Sequence, residues 1–206
     1  MIYPKKNKFI HWFVDQYIRR IVSRNFFEIR FDTVSTDKNK SVLLIANHFS
    51  IWDGLILYWL NHRLFGKNFH VMILEETSKK ERFLKYTGAF SINKSSKDII
   101  RSLDYAAQLL TEPDNLVLIF PQGKLYSNFV DEVIFEKGII KVLEQAADNC
   151  QVIFAASFIE NFAHKKPLAN VYLATNDNNF SNIDQLQRAY QQHYNKARLQ
   201  QTQIVI

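Results

Sequence analysis

Leu43-Leu44-Ile45-Ala46-Asn47-His48-Phe49-Ser50-Ile51-Trp52-Asp53 is the stretch on which the fold turns. Val42 to Ile45 form an apolar run of strand length, and Asp53 opens a helical pattern that continues through Leu55, Leu57, Trp59 and Leu60. The intervening residues therefore make a strand–turn–helix bend. Such bends are where α/β proteins place reactive side chains, because the flanking elements hold both ends of the turn still. On one continuous helix, two residues five apart would lie on different faces. Across a bend, Asp53 can instead come back beside the His48 ring. A carboxylate there fixes the imidazole tautomer and leaves the other ring nitrogen free to accept a proton. The pair amounts to a general base and its orienter, with no nucleophile in evidence.

Two later segments add to it. Gly88-Ala89-Phe90-Ser91-Ile92-Asn93-Lys94 alternates as a short strand does and ends just before a helix start at Ser95-Ser96. Leu116 to Phe120 forms a second buried strand, which stops at Pro121 and opens into Gln122-Gly123-Lys124. Each alone is compatible with an ordinary turn; their order and spacing after Asn47-His48-x-x-x-x-Asp53 give them weight.

Together the three segments resemble the glycerolipid acyltransferase superfamily, typified by 1-acylglycerol-3-phosphate acyltransferases. The family's first block, Asn-His-x-x-x-x-Asp, is matched by Asn47, His48 and Asp53. Its second, Gly-x-(Ile/Phe)-x-(Ile/Val)-x-Arg, is matched by Gly88, Phe90 and Ile92, with Lys94 in the arginine's place. Its third, Phe-Pro-Glu-Gly-Thr-Arg-Ser, is matched by Phe120, Pro121 and Gly123. Phe135-Glu136-Lys137-Gly138 is similar to a later familial Phe-x-x-Gly, and the likeness extends over roughly residues 35 to 175. The chain departs from the pattern in three places. Gln122 replaces a glutamate, Lys124-Leu125-Tyr126 stands where Thr-Arg-Ser is usual, and Phe154-Ala155-Ala156-Ser157 lacks the proline of a fourth block.

The resemblance implies an O-acyltransferase. It would move a fatty acyl group from acyl-CoA or an acyl carrier protein thioester to a hydroxyl of a lysophospholipid-like or other lipid acceptor. His48 would be the base and Asp53 its orienter. Asn47, Gly88, Phe90, Lys94, Phe120, Pro121, Gln122, Gly123 and Lys124 would surround the substrates, and no other cofactor is implied. The family's second-block arginine and third-block polar residues are associated with the acceptor's phosphate. Losing both arginines removes the planar forks suited to bidentate phosphate binding, while Lys94 and Lys124 keep charge without that geometry. A non-phosphate acceptor, such as an aminolipid, a glycolipid or a glycosylated pigment, is the alternative within the same mechanism. A non-catalytic membrane-binding module is the alternative of another class.

The chain's 206 residues suffice for a single α/β domain with a real core. Strands are expected near 27–31, 42–46, 69–74, 89–93, 115–120, 151–156 and 170–175. Helices are expected near 53–65, 77–85, 96–111 and 138–148. That alternation argues a mixed, largely parallel sheet covered by helices. Ser96 is the expected cap of the third of these helices. Residues 1–26 are expected to form an interfacial helix, and residues 183–206 a helical tail rich in Gln and Tyr. The single cysteine, Cys150, gives no disulfide framework and reads as a buried thiol. No metal site is indicated, since His62 and His70 lack ligand-spaced partners. Glu75-Glu76 read as solvated loop acids pointing apart.

The formal charge of +6 is uneven. Residues 1–30 carry Lys5, Lys6, Lys8, Arg19, Arg20, Arg24 and Arg30 against Asp15 and Glu28, a net of +5. In the same segment Ile10, Val14, Tyr17, Ile18 and Ile21 share one helical face, and Trp12 and Phe13 add aromatic bulk. This pattern predicts a helix lying on an anionic membrane surface. The competing reading packs the apolar face onto the domain and leaves the arginines merely solvated. No apolar run is long enough to span a bilayer, and there is no signal-peptide cleavage pattern. The expected location is therefore the cytoplasm, peripheral on the inner face of the membrane. No stacking platform interleaves the lysines and no nucleic-acid motif occurs, so nucleic acid is not an expected partner.

Overall fold

Strand β2 (Ser41–Ala46) lies at the heart of the molecule, with all six residues buried. Pleating sends Val42, Leu44 and Ala46 into one apolar cluster and Leu43 and Ile45 into another, on the opposite side of the sheet. A strand apolar on both faces needs helices over both, which is what the chain supplies. The computed structural model describes all residues except 6, 94, 95, 147, 148, 177–179 and 206, and of 96 and 97 only the backbone.

Seven strands make one sheet in the order β1-β7-β6-β2-β5-β3-β4. They are β1 (Glu28–Phe31), β2, β3 (Asn68–Leu74), β4 (Ala89–Ile92), β5 (Asn115–Ile119), β6 (Cys150–Glu160) and β7 (Leu168–Asn176). Every pairing is parallel except β6 with β7. The helices are α1 (Lys8–Asn25), α2 (Ile51–Leu60), α3 (Glu75–Lys80), α4 (Ser96–Leu109), α5 (Ile139–Ala146) and α6 (Ile183–Thr202). One face of the sheet packs against α1 and α2, the other against α4, α5 and α6. The mixed, largely parallel sheet expected from the sequence is the one observed.

Several boundaries differ for physical reasons. Strand β6 runs to Glu160, beyond its last partner in β2, Ala155 opposite Ala46. Antiparallel pairing with β7, down to Glu160 opposite Leu168, satisfies the extra backbone. Helix α2 begins two residues early and continues through a wider π-turn at Asn61–Phe65, which Gly66 ends at φ +63°. Helix α3 stops at Lys80; the chain then takes a 3₁₀ turn at Leu84–Tyr86, placing Phe83 edge-on to Tyr17 of α1. Glu75 and Glu76 open α3, with Glu75 bound to Lys79 at 2.6 Å. The C-terminal helix is no loose tail: Leu186, Tyr190, Tyr194 and Ala197 are buried in the core. Cys150 is buried, and burial pushes its thiol up to about 11.

The N-terminal helix forms, but its faces are used otherwise than expected. Ile18 and Val22 are buried, and Val14 and Ile21 pack beside them against the sheet. The aliphatic face assigned to a membrane therefore meets the protein's own core. Arg19 is drawn onto the domain as well, 2.9 Å from Asp15 and 2.8 Å from Nε2 of His62. Phe9, Trp12, Phe13 and Tyr17 point outward and are each more than half exposed. Arg20 and Arg24 follow on that same outward face. Among the described residues no helix is long and apolar enough to cross a membrane.

Candidate active site

Parallel strands β2 and β5 are neighbours, so their carboxyl ends bring the first and third sequence blocks to one edge of the sheet. The turn after β2 is closed by its own chemistry. Ser50 caps α2, its hydroxyl accepting from the Trp52 N–H at 3.2 Å, and Asp53 reaches back to the Ser50 N–H at 2.8 Å, forming a capping box. The same Asp53 oxygen, Oδ2, accepts from the Phe49 N–H at 2.7 Å and lies 3.0 Å from His48 Nδ1. A carboxylate only accepts, so Nδ1 carries the proton and Nε2 presents its lone pair. Asp53 is fully buried while the His48 side chain is 23% exposed. The carboxylate is thus shielded and the imidazole can be reached. Its position in the first turn of a helix also favours the negative charge.

The ring and backbone of His48 are held from other sides. Phe120 stacks on the imidazole at 4.0 Å between centroids. Gln122 is 3% exposed, and its Oε1 accepts the His48 N–H at 2.7 Å. The His48 carbonyl accepts from the Tyr126 N–H at 3.0 Å. Asn47 faces inward, exchanging two hydrogen bonds with the Ser157 backbone: Nδ2 to the carbonyl at 3.0 Å, and the Ser157 N–H to Oδ1 at 2.8 Å. Its amide stands in for a residue of β2, continuing the ladder with β6 after β2 has ended.

The remaining sequence-derived positions divide. Pro121 is buried at the end of β5, and its carbonyl accepts from the Glu136 N–H at 2.8 Å. Gly123 turns the chain at φ +65°, and Gly123 and Lys124 lie exposed beside the turn. Gly88 sits at φ +90° with Phe69's carbonyl so near that a Cβ would come within 1.9 Å of it, so no other residue fits. Phe90 is fully buried, edge-on to Tyr105 at 5.2 Å. Lys94, and with it the charge of the second block, lies outside the described residues.

Three contributors were not picked out from the sequence. Ser50 could have been, since Ser50-x-x-Asp53 is a capping-box signature. Ser157 and Tyr190 carried no local signal. Tyr190, from α6, donates its hydroxyl to the Ala155 carbonyl at 2.8 Å, with the Asn47 backbone hydrogen-bonded to its oxygen. Burial holds this phenol well above its ordinary range, so it stays a neutral donor.

Such an arrangement can take a proton from a hydroxyl and stabilise the resulting imidazolium, which is the requirement for moving an acyl group onto oxygen. No curated protein matches the chain. The family model described as Acyltransferase matches residues 27–157, from β1 through β2, β5 and most of β6, and so spans every element of this site except Tyr190. The chain belongs to this Acyltransferase family, the glycerolipid acyltransferase-like family of acyl-transferring enzymes.

Proposed function

We propose that the protein transfers a fatty acyl group from an acyl thioester, carried by CoA or an acyl carrier protein, to a hydroxyl of a membrane lipid. One observation carries the reading: His48 Nδ1 stands 3.0 Å from a buried carboxylate while its ring remains reachable. His48 Nε2 takes the acceptor's hydroxyl proton as the oxygen attacks the thioester carbonyl. The C–O bond forms, the C–S bond breaks, and the proton passes to the departing thiolate. Asp53 orients the ring and balances the imidazolium. No residue is acylated on the way, because neither Ser50 nor Cys150 sits in a nucleophile elbow.

Gly123 and Lys124, with Lys94, are our candidates for holding the polar head of the acyl donor. Two lysines lack the bidentate fork of arginine, which favours an acceptor without a phosphomonoester. The test is a panel of hydroxyl acceptors, 1-acylglycerol-3-phosphate among them, with one labelled acyl thioester. Robust transfer to the phosphate acceptor, lost on Lys124→Ala, would overturn the preference.

The place of action we propose is the inner membrane surface, reached through the outward face of α1. Phe9, Trp12, Phe13 and Tyr17 supply aromatic rings suited to the headgroup boundary, and Arg20 and Arg24 supply charge. Each arginine near an anionic surface contributes on the order of 1 kcal/mol. Reversing both to Glu should therefore weaken binding to phosphatidylserine vesicles more than ten-fold. Unchanged sedimentation with those vesicles would remove α1 from the membrane.

A further inference from the structure

Beside the catalytic turn lies a cleft of about 470 Å³, within the size range of small-molecule sites. Four segments meet there: the end of α1, residues 49–52 of the turn, residues 128–129 of the loop after β5, and the connection from β6 to β7. No charged residue lines it. Its polar groups are Asn25, Ser50, Asn128 and Asn161, and its rings are Phe26, Trp52 and Phe129 with Phe49 of the turn.

We propose that this cleft seats the acceptor's headgroup, and that the headgroup is neutral and rich in hydroxyls, a sugar or polyol. The proposal rests on the acyltransfer reading above and gives it a binding site. Aromatic faces and side-chain amides without charge suit a ring whose C–H face stacks and whose hydroxyls both donate and accept. Asn128 lines the cleft and its Oδ1, turned inward, has no hydrogen-bond partner among the described residues, so rotating the amide toward the cleft would give that oxygen a donor there. A hydroxyl supplies one, whereas a phosphate dianion would meet that lone pair with no cation in the lining. Lys165 and Lys166, nearby in sequence, are exposed and outside the lining.

The cleft's outer wall is held in place rather than left loose. Phe162, next to Asn161, is the sole non-glycine residue at positive φ among those described, at +46°. The loop is pinned by the His164 N–H on the Asn161 carbonyl at 2.9 Å, by Phe27 stacked on His164 at 3.6 Å, and by the Phe27 N–H on the Pro167 carbonyl at 2.8 Å. Backbone strain of this kind persists where a surrounding structure over-determines it, and it gathers at ligand sites. The inner wall is the turn itself: the N–H groups of Phe49 and Ser50 bind the carboxylate that orients His48. A headgroup seated here therefore lies against the residues that carry the base.

Calorimetry on the full chain with octyl glucoside, kept below its micelle-forming concentration, and with octyl phosphate tests this directly. The glucoside should bind saturably and the phosphate at least ten-fold more weakly. Asn128→Ala should weaken glucoside binding about five- to ten-fold, as loss of a hydrogen bond to a part-buried partner does, and Asn161→Ala, at an exposed position, about two- to three-fold. In turnover, the same variants should raise KM for the acceptor and leave KM for the thioester and the melting temperature unchanged. Asn161→Lys should shift preference toward the phosphate. Equal or tighter phosphate binding, or variants indistinguishable from wild type, would overturn the assignment. So would variants that raise KM for the thioester alone, which would make the cleft an acyl-chain groove. If the glucoside binds as expected but no acceptor is acylated, the acyltransfer reading fails while the cleft's chemistry stands.

Discussion

The turn at 47–53 and the loop at 123–129 sit at the ends of adjacent strands, yet they are built on opposite plans. In the turn, one Asp53 oxygen gathers two backbone N–H groups and the His48 ring, and Asn47 and Gln122 fasten its entrance. In the loop, Gly123, Lys124, Leu125, Ser127 and Phe129 are exposed, and its tie to the turn is the Tyr126 N–H on the His48 carbonyl. The turn needs particular residues because each closes a bond with another. Apart from Gly123, held at φ +65°, the exposed residues of the loop can change without disturbing the fold. That division accounts for where the chain departs from its family's third block. Lys124-Leu125-Tyr126 falls in the open loop, where little in the fold fixes side-chain identity. Gln122 falls in the closed part, where the required group is an acceptor oxygen facing the His48 N–H, and glutamine and glutamate both carry one.

Breaking the turn should cost most. Under the mechanism proposed, His48→Ala removes the base, and turnover should fall about a hundred- to ten-thousand-fold. Its melting temperature should stay within a degree or two, since the ring is partly exposed. Asp53→Asn keeps the volume but loses the charge and the fixed tautomer, so activity should fall at least about a hundred-fold. Unlike the histidine variant, it should also melt earlier, because three donors lose their anionic acceptor. If Asp53→Asn were fully active while His48→Ala was dead, the pairing would be wrong.

The next comparison separates the closed part from the open one. Gln122→Ala orphans the His48 N–H, a loss of about 1–3 kcal/mol that thermal melting should register together with a roughly ten-fold drop in turnover. Gln122→Glu restores the oxygen; it should melt like the parent and gain no use of a phosphate acceptor, since another carboxylate repels the dianion. Lys124→Ala, in the open loop, should leave melting unchanged and alter KM for the thioester by only a few-fold. Equal melting for Gln122→Ala and Lys124→Ala would erase the distinction drawn between the two regions.

The smallest effect lies behind the site. His193 is half-buried beside Phe154 and Tyr190 and donates Nε2–H to the Tyr172 carbonyl at 3.1 Å. Burial lowers its pKa below the usual 6.5, so the folded state resists its protonation. Its neutral form stabilises the fold fully above pH 6.5, and that contribution is lost as pH falls below it through the folded value. Chemical denaturation at pH 7.5 and 5.0 should show a smaller pH-dependent loss in His193→Gln than in the parent.

Much of this was legible in the chain. The apolar run into Asn47-His48 and the apolar helix after it identified the strand–turn–helix, because both periodicities are strong there. The length of β6 was not legible, since its last residues, Ala156 to Glu160, are held by an antiparallel neighbour, Tyr172 to Leu168, that no local pattern announces. Nor was the orientation of α1. Its periodicity marks an aliphatic face but not what that face meets, and Phe9, Trp12, Phe13 and Tyr17 make a second apolar face opposite the first. Tyr190 and Ser157 join the site only through the sheet and the last helix, distances in sequence that no local pattern spans.

Under the proposed mechanism acyl transfer occurs in one step, with His48 acting on the acceptor and no side chain acylated. Intact-protein mass spectrometry during turnover, alongside a thiol-release assay, tests it most directly. One-step transfer releases thiol only when an acceptor hydroxyl is present and leaves the protein's mass unchanged throughout. Acceptor-independent thiol release accompanied by a protein heavier by one acyl group, on Ser50 or elsewhere, would contradict it.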